Sequence, residues 1–232
     1  MKFAALMMAG VVCLFAADSD RKADDVKRIE AATSTLVDIQ NAKDGGIPRH
    51  LLERAHCVGI IPAAKKAGFI VGGQYGKGIL TCRIHGTERW SAPSMIVYEG
   101  GSFGLQIGAG ETDVVFTVMN DHAEQRMKGS KVQIGADVMA AAGPIGRSIS
   151  ADTNATMHAE VLTWSRARGV FAGVDLKGGS LRNDNDDNAA LYGATATPNR
   201  ILDGRVPPPP QARALYTELR HYAGRLAPKT GE

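Results

Sequence analysis

Apolar residues first recur at three- and four-residue spacing. Val26, Ile29, Thr33 and Leu36 form one stripe, and Ile39 extends it. That period predicts a helix over 20–42, closed by Gly45 and Gly46. Pro48 suits the first position of a second, short helix carrying Leu51, Leu52 and Ala55. From Val58 the pattern changes to short apolar runs divided by Gly, Pro or polar residues. The runs cover 58–61, 69–71, 79–84, 95–98, 105–107 and 112–119. They read as closely spaced strands. Residues 131–138 alternate, with Val132, Ile134, Ala136 and Val138 on one face. Val170, Ala172, Val174 and Leu176 do the same. Period-two alternation predicts antiparallel strands. Glycines inside the runs predict bends or close backbone approach in a curved sheet. Short helices are expected over 121–128 and 184–192. Prolines 207–210 make a stiff connector. Ala212, Leu215, Tyr216, Leu219 and Tyr222 then give a last helical stripe, with Gly224 as its stop. The expected fold is α+β: a mostly antiparallel, strongly curved or barrel-like sheet flanked by N- and C-terminal helices.

The first residues add a targeting signal. Lys2 precedes an uncharged apolar run to Ala16, then Ala17 and the polar Asp18. This is the order of a secretory signal peptide, with cleavage near Ala17. A buried or anchoring N-terminal helix is the competing reading. Cys13 lies within the apolar run behind Val12, a poor lipoprotein context. The expected organisation is a signal over 1–17 and one domain over 18–232, core about 25–222. The expected location is exported, periplasmic or envelope-associated.

Composition narrows the classes. The chain has 232 residues, 44% hydrophobic and 22% charged, which suits an ordinary globular domain. A net charge of +3 is too weak for a dedicated nucleic-acid binder, yet it tolerates an anionic surface. Three cysteines cannot build a disulfide framework. Cys57 and Cys82 could pair in an oxidising compartment. Their spacing fixes no geometry, and two buried free thiols on strands are the favoured reading.

Several motifs invite a chemical reading and fall short. Gly100, Ser102 and Gly104 match the hydrolase elbow Gly-x-Ser-x-Gly, but no helix pattern follows. Gly72, Gly73, Gly76, Lys77 and Gly78 suggest a phosphate loop without its spacing or its Ser/Thr. Asp184, Asp186 and Asn188 open like a calcium loop, but Ala189 and Thr195 stand where Gly and Glu are needed. Those acids are expected to cap a turn into a helix. No Cys-x-x-Cys and no His-rich cluster is present, so no zinc site and no cofactor is expected. Basic residues come in small groups: Lys65 with Lys66, Arg166 with Arg168, and Arg182. Arg147 follows the Gly143, Pro144 and Gly146 turn.

Read in order, a set of segments resembles the SYLF-domain family, named also for lipid binding and for yeast actin-patch proteins. They are Ile47 and Pro48; Lys65, Lys66, Ala67, Gly68 and Phe69; Gly76, Lys77 and Gly78; and Trp90, Ser91, Ala92 and Pro93. Next come Gly104, Leu105, Gln106, Ile107 and Gly108; Thr112 and Asp113; and 142–147. The last are 165–173 and Ala190, Leu191, Tyr192 and Gly193. The resemblance implies a non-enzymatic domain that binds anionic phospholipid at a membrane surface. Basic residues near glycine turns become the candidate headgroup ligands: Lys65, Lys66, Lys77, Arg147, Arg166 and Arg168. Phe69, Phe103 and Phe171 are candidates for acyl contact, with core packing as their default. The chain looks like the short exported bacterial type, so actin is not expected as a partner. The alternative is a structural or stress-related envelope protein acting through protein contacts, with 207–232 as its surface.

Overall fold

In the computed structural model the described residues are 2–42, 45–68, 71–103, 108–144, 158–167, 170–171, 176 and 178–224. Over 2–19, 66–68, 71–72, 102–103, 108–109, 167 and 170–171 only the backbone is described. The helices are α1 (Lys2–Gln40), α2 (Arg49–Arg54), α3 (Asp121–Lys128), α4 (Asn185–Tyr192), α5 (Pro198–Leu202) and α6 (Ala212–Ala223). The strands are β1 (Cys57–Gly68), β2 (Val71–Cys82), β3 (Ser94–Phe103), β4 (Gly108–Val118) and β5 (Lys131–Gln133). They continue with β6 (Ala140–Ala142), β7 (Val161–Ala167), β8 (Val170–Phe171) and β9 (Gly179–Asn183).

One sheet takes all nine strands, in the order β5-β9-β3-β2-β1-β4-β7-β6, with β8 beside β7. Every pairing is antiparallel except β6 with β7. The fold is therefore α+β with a strongly curled half-barrel sheet, as the strand spacing predicts. The curl is forced by chain length. β5 and β6 stand at opposite ends of an eight-strand path, yet only seven residue steps join Gln133 to Ala140. Seven steps reach at most about 25 Å. Seven gaps in a flat sheet would need roughly 33 Å.

The curl gives the strands two buried faces. Outside, Val58, Ile60, Ile79, Met95, Val115, Leu162 and Trp164 pack with Ile29, Leu36 and Ile39 of α1 and Leu215 and Leu219 of α6. Inside, Ile61, Leu80, Ile96, Tyr98, Val114, Phe116, Val118, Val132 and Leu181 form a second core. Gly59 pairs across the ladder with Phe116, and a Cβ there would lie inside the Phe116 ring. Gly59, Gly76 and Gly78 thus serve close approach, whereas Gly73, Gly101 and Gly110 face open space.

The helix ends are specified locally. Asn120 accepts from Ala123 N at 2.9 Å to start α3, and Asp184 accepts from Asp187 N to start α4. Gly224, at φ +56°, ends α6. Buried Arg83 donates to Leu52 O, Ala55 O and Ala223 O, collecting carbonyls at the ends of α2 and α6. Its guanidinium also lies 4.4 Å from the Trp90 ring centroid.

Three expectations need correction. The alternation over 131–138 does not make one long strand. Gly135 at φ +94° turns the chain after β5, and Gln133 N donates to Asp137 Oδ2 across that turn. Alternation survives there because the turn still points Val132, Ile134 and Val138 inward. Strands β7 and β9 were not legible at all. Finally, Cys57 and Cys82 are not free thiols. They are direct partners in the β1–β2 register and form a disulfide. Of the pattern at 170–176, β8 accounts for the first two residues, and 172–175 lie outside the described residues.

Peptide mapping without reductant should therefore recover a Cys57–Cys82 cross-linked pair. Replacing both residues by Ser should cost about 2–4 kcal/mol in denaturant unfolding. Recovery of unlinked peptides from oxidised protein would remove the bond from the fold.

Candidate functional site

The polar side of α1 meets β2 and α4 in a buried ionic cluster. Lys77 Nζ lies 2.9 Å from Asp184 Oδ2 and 2.7 Å from Asp187 Oδ2. Arg28 Nη1 lies 2.9 Å from the same Asp187 oxygen and 3.2 Å from Asp25 Oδ1. Three carboxylates thus share two cations. Asp25 is the surplus one: it is fully buried and neither oxygen has a hydrogen-bond partner. Its contact with Arg28 is an ion pair outside hydrogen-bond geometry. Burial, then repulsion from Asp187, raises the Asp25 carboxyl to about 7, against the pull of Arg28 and Lys77. For Asp187 burial pushes upward too, but hydrogen bonds from Lys77 and Arg28 outweigh it and hold the group at about 2. Burial would lower the Lys77 ammonium, yet its bonds to Asp187 and Asp184 raise it.

An open cavity of about 440 Å³ borders this cluster. Lys27, Arg28, Lys65, Tyr75 and Lys77 line it, with Asp24, Pro62 and Ala63. Its shape comes from a bulge in β1, where both neighbouring registers slip between Ile60 and Lys65. Ala63 sits there at φ +48°, a region that disfavours a side chain. Asp113 holds the bulge by accepting from Ala63 N at 2.8 Å.

The basic residues singled out by sequence divide at this point. Lys65 is exposed on the cavity, with no ion-pair partner among the described residues. Lys77 shares the cavity but is committed to Asp184 and Asp187. Lys66 follows in β1, described by backbone alone. Arg166 Nη1 donates to Asp38 O at 2.6 Å, tying β7 to α1. Arg182 pairs with Glu99 at 3.2 Å. Arg147 and Arg168 lie outside the described residues, as does Phe69. Of Phe103 and Phe171 only the backbone is described.

The motifs resolve structurally. Ser102 lies within β3, paired with Gly72, and not on a strand-to-helix elbow. Gly72, Gly73, Gly76 and Gly78 belong to β2. A Cβ at Gly78 would strike Ile60 O, so strand contact accounts for it. Sequence reading missed Asp25, whose neighbours Lys77, Asp184 and Asp187 come from distant parts of the chain, and it missed a second polar cluster. Past the start of β1, His56, Asp121 and Glu124 bring ligand atoms within 4.8 Å of one another. Buried Glu124 is held at about 2. Burial raises it, but bonds from His56 and Lys128 outweigh that. This is the set of described side chains that could hold a metal.

Asp25 sets a pH dependence. Its folded value exceeds the ordinary 3.8, so its contribution is most favourable below about pH 4 and is lost as pH rises through about 7. Asp187 and Glu124 act in the opposite sense: their stabilisation is present above about pH 4 and is lost as pH falls toward 2. Asp25→Asn should therefore stabilise the protein at pH 8 by on the order of 1–3 kcal/mol, with the gain shrinking toward pH 5. Thermal melts across that range check it, and a gap that does not change with pH would refute it.

Comparison with known proteins places the chain. The family profile Ysc84, described as Las17-binding protein actin regulator, matches residues 99–222. LAS seventeen-binding protein 3 of Saccharomyces cerevisiae is 35% identical over 192 residues, covering 81% of this chain and 41% of that protein. Protein YSC84 of the same yeast is 36% identical over 184 residues, 78% of this chain and 39% of its own length. The human SH3 domain-containing YSC84-like protein 1 is 34% identical over 186 residues, 80% of this chain and 54% of that protein. The chain thus spans about half, or less, of the curated relatives it matches. With a family match over more than half its length and a fold of the expected class, the chain belongs to the Ysc84 family, the SYLF-domain family whose motifs it carries.

Proposed function

We propose that this domain is a non-enzymatic binding module that contacts anionic phospholipid headgroups through the cavity between α1 and the β1–β2 hairpin. The observation that carries the reading is Lys65. It stands exposed, without an ion-pair partner among the described residues, on a rim shared with Lys27, Arg28 and the half-exposed Tyr75. Asp24 pairs with Lys27, and buried Asp184 and Asp187 take up Lys77 and Arg28, so Lys65 is the cation of this rim left to meet a headgroup. A tyrosine beside lysines suits a membrane interface, where the ring meets apolar matter and the ammonium meets phosphate. One relative's name describes binding and the family description adds regulation, which supports a module without its own chemistry. The Cys57–Cys82 disulfide supports an exported domain, because such bonds persist in oxidising compartments.

A second reading has its own support. The family description names Las17 binding and actin regulation, although the sequence reading expects no actin partner. In that reading the same basic rim docks an acidic protein surface.

Liposome co-sedimentation separates the two. The chain should pellet with phosphatidylglycerol or cardiolipin vesicles, not with neutral ones, and less so at higher salt. Reversing Lys65 and Lys66 to Glu should weaken binding about tenfold or more, at about 1 kcal/mol per basic residue removed and as much again per acid added. Binding that ignores salt or the reversal would sink this site. Pelleting with filamentous actin in the absence of lipid would favour the protein reading.

A further inference from the structure

The cluster at the start of β1 is built like a metal site, and nothing in the membrane reading uses it. His56 Nδ1 lies 3.0 Å from Glu124 Oε2 and 3.2 Å from Asp121 Oδ1. Two carboxylate oxygens therefore converge on one ring nitrogen. A tetrahedral zinc ion with bonds of about 2.0–2.2 Å holds its ligand atoms about 3.3–3.6 Å apart. Widening the two contacts to His56 by a few tenths of an ångström, with all three ligand atoms within 4.8 Å of one another, would admit the ion. His85 Nε2 lies 3.1 Å from the other Glu124 oxygen, so a second imidazole holds that carboxylate from outside the triad.

We propose that His56, Asp121 and Glu124 bind a divalent transition-metal ion of the zinc class, with His85 orienting Glu124 through its other oxygen and water as the fourth ligand. Three observations support it besides the spacing. The ligands are held before any ion arrives. His56 N donates to Val118 O at 2.7 Å, and Arg83 N donates to His56 O at 2.8 Å. The Cys57–Cys82 disulfide locks the two strands that flank the histidines. Asp121 and Glu124 stand three residues apart in the first turns of α3, hence on one face. Charge also fits. Asp121, Glu124 and Asp203 carry three negative charges against Lys128, whose ammonium lies 2.8 Å from both Glu124 Oε1 and Asp203 Oδ1, and Arg205, 3.9 Å from Asp203 Oδ2. The surplus is negative, as a cation site requires. Imidazole with carboxylate selects zinc-class ions over calcium or magnesium, which prefer oxygen alone. The ion would staple the start of β1, the segment after β2 and α3 into one unit.

The site has an entry side. The Asp121 and His85 side chains are 72% and 67% exposed, whereas that of Glu124 is 2% exposed. Asp121→Asn and His85→Ala can therefore be made without opening the core. His122 faces Glu160 at 2.7 Å, outside the cluster, and serves as a control. The full chain, stripped with chelator, is titrated with zinc chloride by calorimetry, and with cobalt for its visible spectrum. One zinc per chain is expected, with tetrahedral cobalt bands and a raised melting temperature. Asp121→Asn, His85→Ala and His56→Gln should each weaken binding about tenfold or more, and His122→Ala should leave it unchanged. Zinc affinity weaker than roughly 100 µM in the parent, or equal affinity in the parent and the Asp121→Asn and His56→Gln proteins, would overturn the proposal. Neither result bears on the Lys65 rim, whose test uses vesicles.

Discussion

The short link between β5 and β6 governs this molecule. Strands at opposite ends of the sheet are tied by seven residue steps, so the sheet must wrap. Wrapping encloses an inner core and turns an outer face toward the helices. It also crowds the inner surface, which explains why glycine stands where Phe116 and Ile60 press against neighbouring backbone. Curvature accounts for these close-packed glycines, but not for Gly73, Gly101 and Gly110, which face open space.

The wrap sets the place of every polar cluster. With both strand faces apolar, charge is pushed to the ends of β1 and to the seams where helices land. At one end α1 brings Asp25 and Arg28 onto Lys77, and α4 brings Asp184 and Asp187. At the other, α3 brings Asp121 and Glu124 onto His56. Each seam sets buried charges beside exposed groups that can reach a ligand: Lys65 at the first, and at the second Asp121 and His85, which already contact His56 and Glu124.

How far the chain could be read follows from what is local. The bounds of α3 coincide with the expected 121–128, because Asn120, the acidic first turn and Gly129 are all near neighbours. The Asp184 cap and the α6 stripe were legible for the same reason. The family motifs were legible as an ordered set, although each has a packing cause. Trp90 stacks on Arg83, and Pro93 O accepts from Tyr192. What escaped depends on partners distant in sequence. The pairing of Cys57 with Cys82 needs the β1–β2 register. The raised carboxyl of Asp25 needs its burial beneath distant elements and then Asp187 beside it. β7 was missed since Thr163, Ser165 and Arg166 interrupt its apolar pattern, even though Thr163 and Ser165 are buried between strands. The histidine–carboxylate cluster draws on three segments, so no linear spacing could betray it.

Arg83 carries a consequence for how the chain comes to be folded. Its guanidinium waits on a carbonyl supplied by Ala223, 140 positions later, and α1 waits on α6 for its outer core. The first and last helices therefore complete each other. A ribosome must release the chain as far as α6 before that outer layer can close, so the two helices wait on one another while the domain is being made.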